Sequence, residues 1–263
     1  MNQTNNYITV VIPTYNSAEY IDKTLNSVLN QTVLPEELII SDDGSTDNTI
    51  KKVNNYLNDF TKKISIKILQ NPHVGPGFAR NQGIINATNK WISFLDSDDV
   101  WDINKIKEVK KIINESNKYN FITHYENYLQ QNNITLEISK PLKQFLSQKR
   151  NLKRYLYERN IFSTSAVTLN RSLLIDNNFF DEKLPNAQDY ELWLKICPNI
   201  RLKVIPKILG TYIQTIDNIT SKPYYYRIRS ELKIANRYRN YVEPKIFIKK
   251  IIKLLLSKRW LNI

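Results

Sequence analysis

An α/β fold, a mostly parallel central sheet flanked by helices, is what this sequence predicts, and three observations predict it. Short apolar runs of β-prone residues alternate with stretches of helical periodicity four times in the first hundred residues. The first of these runs is β-branched at every position and apolar at all but Thr9, the mark of a strand buried on both faces. Turn-forming or acidic residues follow the runs, at the strand ends where parallel sheets bind their ligands.

Ile8–Ile12 is a run of five β-prone residues ended by Pro13, and it reads as the first strand. Asn16, with Glu19 three residues on, resembles a capping box opening a helix that carries Ile21, Leu25, Val28 and Leu29. Leu38–Ile40 is the second strand, stopping at Ser41-Asp42-Asp43-Gly44-Ser45. Ile50, Val53 and Leu57 mark the second helix, and Ile64–Leu69 the third strand. A Pro- and Gly-containing loop, Asn71–Gly77, leads to a helix with Ala79, Ile84 and Ile85, and then to a strand at Trp91–Leu95. Beyond it, Ile103, Ile106, Val109 and Ile113 predict a helix. Phe121–Leu129 and Ile134–Ile138 predict a hairpin, Leu142–Arg159 a helix, and Ser165–Leu169 a strand. Ala187-Gln188-Asp189-Tyr190 opens a helix holding Leu192, Trp193, Leu194 and Ile196, and Arg201–Tyr212 is extended.

The chemistry concentrates at the carboxyl ends of the predicted strands: Pro13-Thr14-Tyr15, Asp42-Asp43 and Asp96-Ser97-Asp98-Asp99. Three carboxylates within four positions repel one another; at about 4 Å and an effective dielectric of about 20, each pair costs on the order of 4 kcal/mol. A hard divalent cation with oxygen ligands turns that repulsion into attraction. A polar turn after a strand is the plainer reading of the same residues.

Hydrophobic residues at 41% and charged residues at 24% are ordinary for a globular protein and exclude a disordered chain. No apolar stretch approaches the roughly 20 residues of a membrane span, and the N-terminus lacks the layout of a secretory signal. A lone Cys197 and two distant histidines, His73 and His124, exclude a disulfide framework and a zinc site and fit a reducing cytosol. The spacing gives neither histidine a partner, and Cys197, Trp91, Trp101 and Trp193 read as core or pocket wall. Gly75-Pro76-Gly77 lacks the third glycine of a dinucleotide fingerprint. Of the net charge of +13, residues 222–263 carry +10, twelve Lys or Arg against two Glu. That asymmetry points to an anionic partner of the tail and not to a nucleic-acid groove through the molecule.

Five stretches in order, Val11-Ile12-Pro13-Thr14-Tyr15-Asn16, Asp42-Asp43-Gly44-Ser45-Thr46-Asp47, Ala79-Arg80-Asn81, Phe94-Leu95-Asp96-Ser97-Asp98-Asp99 and Gln188-Asp189-Tyr190, resemble glycosyltransferase family 2 over about residues 7–215. The resemblance implies a GT-A fold, an inverting mechanism, a nucleotide-diphosphate sugar donor and Mn²⁺ or Mg²⁺. It further implies that Pro13 and Tyr15 line the nucleotide pocket and that Asp43 accepts a hydrogen bond from the base, most often uracil. Arg80 lies beside the base or the diphosphate. Asp96 is the first Asp of a DxD motif, near the ribose or a metal-bound water, with Ser97 beside it in the donor site. By the same resemblance Asp98 matches the metal ligand and Asp189 the catalytic base. Family members commonly have Glu-Asp where this chain has Gln188-Asp189. The implied division is a GT-A domain at 1–215, with a nucleotide-binding half (1–102) and an acceptor-binding half (103–215), followed by a basic helical extension at 216–263.

Such residue types suit the reaction on chemical grounds. A sugar hydroxyl is a poor nucleophile and needs a carboxylate to take its proton. A departing nucleotide diphosphate gains charge that a Lewis acid neutralises. Each residue also has a plainer reading: Asp43 or Asp189 as a helix cap, Arg80 as an exposed helix charge. Two other functions compete, a sugar-phosphate nucleotidyltransferase and a non-catalytic module whose basic tail grips membrane or nucleic acid. The first needs a glycine-rich loop after the first strand, where this chain has Pro13-Thr14-Tyr15. In the tail, Lys245, Lys249 and Lys253 form one stripe and Phe247, Ile248, Ile251, Ile252 and Leu255 another, with Trp260 near the end. That is the layout of an interfacial helix on an anionic inner leaflet, where a lipid-linked acceptor of surface polysaccharide or lipopolysaccharide assembly is found. A helix packed on the domain with its lysines solvated has the same pattern.

Overall fold

The computed structural model describes residues 6–57, 63–129, 135–215 and 224–256. The first half is a run of β/α units: β1 (Ile8–Thr14), α1 (Ile21–Leu29), β2 (Glu37–Asp42), α2 (Thr49–Leu57), β3 (Ser65–Gln70), α3 (Pro76–Asn86) and β4 (Trp91–Phe94). These four strands are parallel, in the spatial order β3-β2-β1-β4, as the alternation predicts. Then come β5 (Val100–Trp101), α4 (Lys105–Glu115), β6 (Phe121–Leu129), β7 (Thr135–Glu137), α5 (Lys140–Gln148), α6 (Leu152–Glu158), β8 (Thr168–Asn170), α7 (Arg171–Ile175), α8 (Gln188–Ile196), β9 (Leu202–Ile213), α9 (Tyr224–Arg237) and α10 (Pro244–Leu255). Among the described residues the sheet continues β4-β8-β6-β9-β5, with β7 on β6, and mixes antiparallel with parallel pairing.

Period-two alternation divides the core between the two faces of the sheet. Val10, Ile12, Leu38 and Ile40 pack with Leu25, Val53, Ile106 and Val109 of α1, α2 and α4. Val11, Ile39 and Phe94 face the other way, into a cluster with Phe121, Leu192 and Trp193 that also takes in Ile228, Ile234, Ile246 and Leu254 of α9 and α10. Helix α3 lies so close to β1 that a Cβ at Gly83 would come within 2.3 Å of Val11 Cγ1. That approach, open only to glycine, sets Arg80 one turn earlier beside the ends of β1 and β4.

Local expectations are corrected at four places. Asn16 and Glu19 form no capping box: Asn16 has φ +47° and its Oδ1 accepts from Thr46 N–H, while α1 starts five residues later, with Tyr20 at its N-cap. Residues 142–159 are two helices, broken where Lys149 turns left-handed (φ +46°) and Asn151 caps α6 by accepting from Arg154 N–H. Residues 164–166 are a 3₁₀ turn and not strand, because Ser165 turns to serve the acidic loop after β4. In α10, Phe247 and Ile251 pack against the core, whereas Ile248, Ile252, Leu255 and Leu256 are exposed together with Lys245, Lys249 and Lys253. Trp260 lies outside the described residues. No helix among those described is long and apolar enough to cross a membrane.

Candidate active site

Because β1, β2 and β4 are adjacent and parallel, the three predicted strand ends meet along one edge of the sheet. Leu95 N–H donates to Val11 O and Asp43 N–H to Thr14 O, so odd positions of β1 bond towards β4 and even ones towards β2. The missing N–H of Pro13 falls on the β4 side, just past the last paired residue, Phe94. The strands part there, and Pro13 is buried while Tyr15 is 45% exposed.

Asp42 and Asp43 have different work. Asp42 is structural: it accepts from Ser45 N–H (2.8 Å) and from the hydroxyls of Ser45 (2.5 Å) and Thr14 (3.0 Å). Asp43 holds the loop after β3. Its Oδ1 accepts from Val74 and Gly75 N–H, each 3.0 Å, and its Oδ2 from Gly75 N–H. His73 Nδ1 lies 2.8 Å from the same Oδ2, and the imidazole stacks on Tyr15 with centroids 4.1 Å apart and planes 17° apart. His73, for which the spacing gave no partner, therefore belongs to the site. His124 is buried, its Nδ1 3.0 Å from the Tyr125 carbonyl; burial first, with Lys105 adding to it, pushes its pKa down to about 3 and keeps it neutral.

The carboxylates after β4 separate into three environments. Asp96 meets Arg80, whose Nη2 donates to Oδ1 at 2.6 Å. Asp99 is buried and structural, accepting from Ser165 Oγ (2.6 Å) and Ile213 N–H (3.0 Å). Burial, with Asp98 and Asp96 nearby, pushes its pKa well up. Thr215 Oγ1 lies 3.5 Å from Asp98 Oδ2, and burial and the Asp96 charge raise the Asp98 pKa to about 6 against bonds from its own N–H and Thr215. Ser97 ties the loop to the start of α1: its Oγ lies 2.7 Å from Ser17 Oγ and its carbonyl accepts from Thr24 Oγ1.

Arg80 joins the halves of the site. It is 8% exposed; burial works against its charge, but Asp96, Asp189 and Asp98 outweigh burial and raise its pKa. Its Nε–H is buried with no acceptor among the described residues. Asp189 sits in the first turn of α8, where the helix dipole favours an anion. Its Oδ2 accepts from Asn160 Nδ2 (2.9 Å), and burial raises its pKa against the bonds from Tyr190 N–H and Asn160 and the charge of Arg80. Asn160 lies 29 positions from the residue it serves, and no sequence pattern links the two.

A divalent cation fits this donor set. Asp98 and Asp96 offer hard carboxylate oxygens with excess negative charge between them. Among the described residues no group of three or more acidic, His or Cys side chains forms a cage. Mg²⁺-type sites built from one or two carboxylates plus phosphate oxygens need none.

The Glycosyl transferase family 2 model matches residues 9–177. The chain is 31% identical over 199 residues to the Escherichia coli UDP-Glc:alpha-D-GlcNAc-diphosphoundecaprenol beta-1,3-glucosyltransferase WfgD, covering 75% of this chain and 72% of that one. It spans a smaller part of other curated glycosyltransferases, 36% of one and 27% of another. Among solved structures, S. aureus TarS in complex with UDP-GlcNAc superposes with a TM-score of 0.70 at 21% identity, over 96% of this chain and 72% of that one. The mannosyltransferase PcManGT of Pyrobaculum calidifontis, in complex with GDP-Man and Mn²⁺, does so with a TM-score of 0.67 at 19% identity, over 96% and 71%. At that identity the structural likeness speaks for the fold, and the fold is GT-A; the family match and the Escherichia coli relative carry the assignment further: this chain belongs to glycosyltransferase family 2.

Proposed function

We propose that the protein is a metal-dependent inverting glycosyltransferase that moves one sugar from a UDP-sugar to an oligosaccharide or lipid-linked glycan of surface polysaccharide or lipopolysaccharide assembly. The observation that carries this reading is the buried Arg80, bonded to Asp96 and close enough to Asp98 and Asp189 to feel their charges, so that one guanidinium links the acidic loop after β4 to the first turn of α8. The names of WfgD, which uses UDP-Glc and a diphosphoundecaprenol-linked acceptor, and of TarS, bound to UDP-GlcNAc, support the donor and acceptor class.

In this reading Pro13 and Tyr15 wall the nucleotide, Asp43 takes the base, and Asp96 and Ser97 border the ribose. The unpaired Nε–H of Arg80 serves a diphosphate oxygen. Asp98, with Asp96 beside it, would hold Mn²⁺ or Mg²⁺, which as a Lewis acid offsets charge on the leaving diphosphate. Asp189 accepts the proton of the acceptor hydroxyl as that oxygen attacks the anomeric carbon, and the bond to the diphosphate breaks on the opposite face. Calorimetry with UDP, GDP, CMP and dTDP, with and without Mn²⁺, tests the donor half, and release of UDP from a UDP-sugar tests the transfer. Binding of none of these nucleotides, or release of pyrophosphate, would refute the proposal.

Both Asp43 oxygens accept backbone N–H groups, and His73 Nδ1, 3.0 Å from the Asp43 carbonyl, also lies 2.8 Å from Oδ2, so the imidazole stands where a base N–H would approach that oxygen. His73→Ala is expected to bind UDP about fivefold more tightly, because clearing the imidazole from Oδ2 lets the base make one hydrogen bond of about 1 kcal/mol there. Weaker binding by this variant would contradict the exchange.

The exposed face of α10 completes the proposal. Ile248, Ile252, Leu255 and Leu256, with Lys245, Lys249 and Lys253 around them, suit an anionic membrane surface and a peripheral position on the inner face of the cytoplasmic membrane. Flotation with phosphatidylglycerol vesicles should carry the protein up. Replacing the four exposed apolar residues by Ser should leave it at the bottom, and equal flotation of both would count against the membrane role.

A further inference from the structure

The first turn of α8, which carries Asp189, is not fixed by its own sequence. Its N-cap, Ala187, is left-handed (φ +57°) and makes no side-chain cap bond. A non-glycine residue in that conformation costs about 1 kcal/mol and persists only where surrounding contacts impose it. Those contacts come from two places. The last turn of α6 and the residues after it give a two-point clamp on adjacent residues: Asn160 Nδ2 donates to Asp189, and the Tyr157 carbonyl accepts from Tyr190 Oη at 2.7 Å. The C-terminal helices supply the rest. Arg237 and Tyr238 donate to Glu191 Oε1 at 2.8 and 2.6 Å, and Asn186 Nδ2 donates to the Tyr226 carbonyl.

Lys250 of α10 sits on the clamp itself. Its Nζ donates to the Tyr157 carbonyl at 2.5 Å and to Tyr190 Oη at 2.6 Å, and lies 5.1 and 4.8 Å from the centroids of those two rings. An ammonium taken out of water is costly, and an apolar side chain would fill the same gap without that cost. What the ammonium adds is direction: its two bonds hold Tyr190 against Tyr157, and thereby hold Asp189, one residue before, against Asn160.

Granting that Asp189 is the base, we infer that Lys250 is a positioning residue of the active site, and that α9 and α10 are part of the catalytic apparatus through their hold on the first turn of α8. The same helix that presents Ile248, Ile252 and Leu255 outward thus bears on the base with its inner face. Burial lowers the Lys250 pKa to about 8, with Lys253 adding to the effect and Glu231 and Glu158 opposing it; Tyr157 and Tyr190 are the other titratable groups against it. Turnover should therefore fall off above about pH 8 as the ammonium is lost.

The test compares wild type with Lys250→Met, Lys250→Arg and Tyr190→Phe for UDP affinity, donor KM, kcat and its pH profile. A displacement of a reacting group by about 1 Å costs up to on the order of 100-fold in rate. Lys250→Met is expected to lose 10- to 100-fold in kcat, within that bound, with UDP affinity unchanged and the alkaline limb gone. Lys250→Arg should recover part of the rate, and Tyr190→Phe, which deletes one hydroxyl, should lower kcat in the same way should the Met variant not fold. Full kcat in folded Lys250→Met or in Tyr190→Phe overturns the inference. So does a loss of rate matched by a loss of UDP affinity, or one that Arg leaves unrepaired. Normal turnover of Asp189→Asn would remove the base assignment itself and this inference with it.

Discussion

Asp189→Asn should bind UDP as the wild type does and lose turnover by about 10²- to 10⁴-fold, the usual contribution of a positioned general base. The substitution keeps the shape of the side chain and an oxygen able to accept from Asn160 Nδ2, so α8 and its clamp should stand. What disappears is the ability to take a proton. The pH profile gives the second readout. Burial raises the Asp189 pKa, so the wild-type rate should fall with acid through a value above the ordinary carboxylate range. Below that value the carboxyl is protonated and cannot act; above it the base is available, and the rate levels off until the alkaline fall set by Lys250. The variant should show a low rate without this acid limb. Wild-type turnover, or an unchanged acid limb in the variant, would place the base elsewhere.

The parallel half of the fold and the gathering of the polar strand ends along one edge were legible because both follow from local chemistry. A buried strand must be apolar, and the polar residues that follow it can only sit at its end. Ile8–Ile12, Leu38–Ile40 and Trp91–Leu95 read as strands from their own residues, and the structure then divides Val11, Ile39 and Phe94 from Val10, Ile12 and Ile40 between the two faces. The contacts between side chains were not legible, because tertiary packing makes them. Asp96, Asp98 and Asp99 are equivalent as letters. Arg80 from α3, Thr215 after β9 and Ser165 from the 3₁₀ turn give each its own state. His73 carried no signal because it reaches Asp43 and Tyr15 only when the loop after β3 folds back over the end of β2. Lys250 stood in a lysine-rich helix where charge count hid the difference between a solvated lysine and one bonded to Tyr157 and Tyr190. The break at Lys149 has no glycine or proline to announce it.

Asp98→Asn should separate function from stability in opposite directions. In the absence of metal, Asp98 is held half-buried beside Asp96, and burial and that neighbouring charge raise its pKa to about 6. The shift from an ordinary carboxylate is about two units, up to roughly 3 kcal/mol, of which coupling to Asp96 and Asp99 leaves roughly 1–2 kcal/mol for one substitution. A group whose folded pKa is raised binds more protons folded than unfolded, so wild-type stability fades as pH climbs from about 4 through 6. The neutral amide has no such slope, and at pH 7 without metal the variant should melt about 2–6 °C higher than wild type. Donor binding should move the other way. Changes in the groups that merely orient metal ligands cost 10- to 100-fold in metal affinity, so removing a charged ligand should weaken Mn²⁺-dependent UDP binding by roughly 100-fold or more. Wild type should therefore gain melting temperature when Mn²⁺ and UDP are added together, and the variant should not. A lower melting point for the metal-free variant would contradict the repulsion among these carboxylates. Equal Mn²⁺-dependent UDP binding by both proteins would contradict the assignment of Asp98 to the cation, because the negative charge that destabilises the metal-free protein is the charge through which a cation, and with it the anionic diphosphate, would be held.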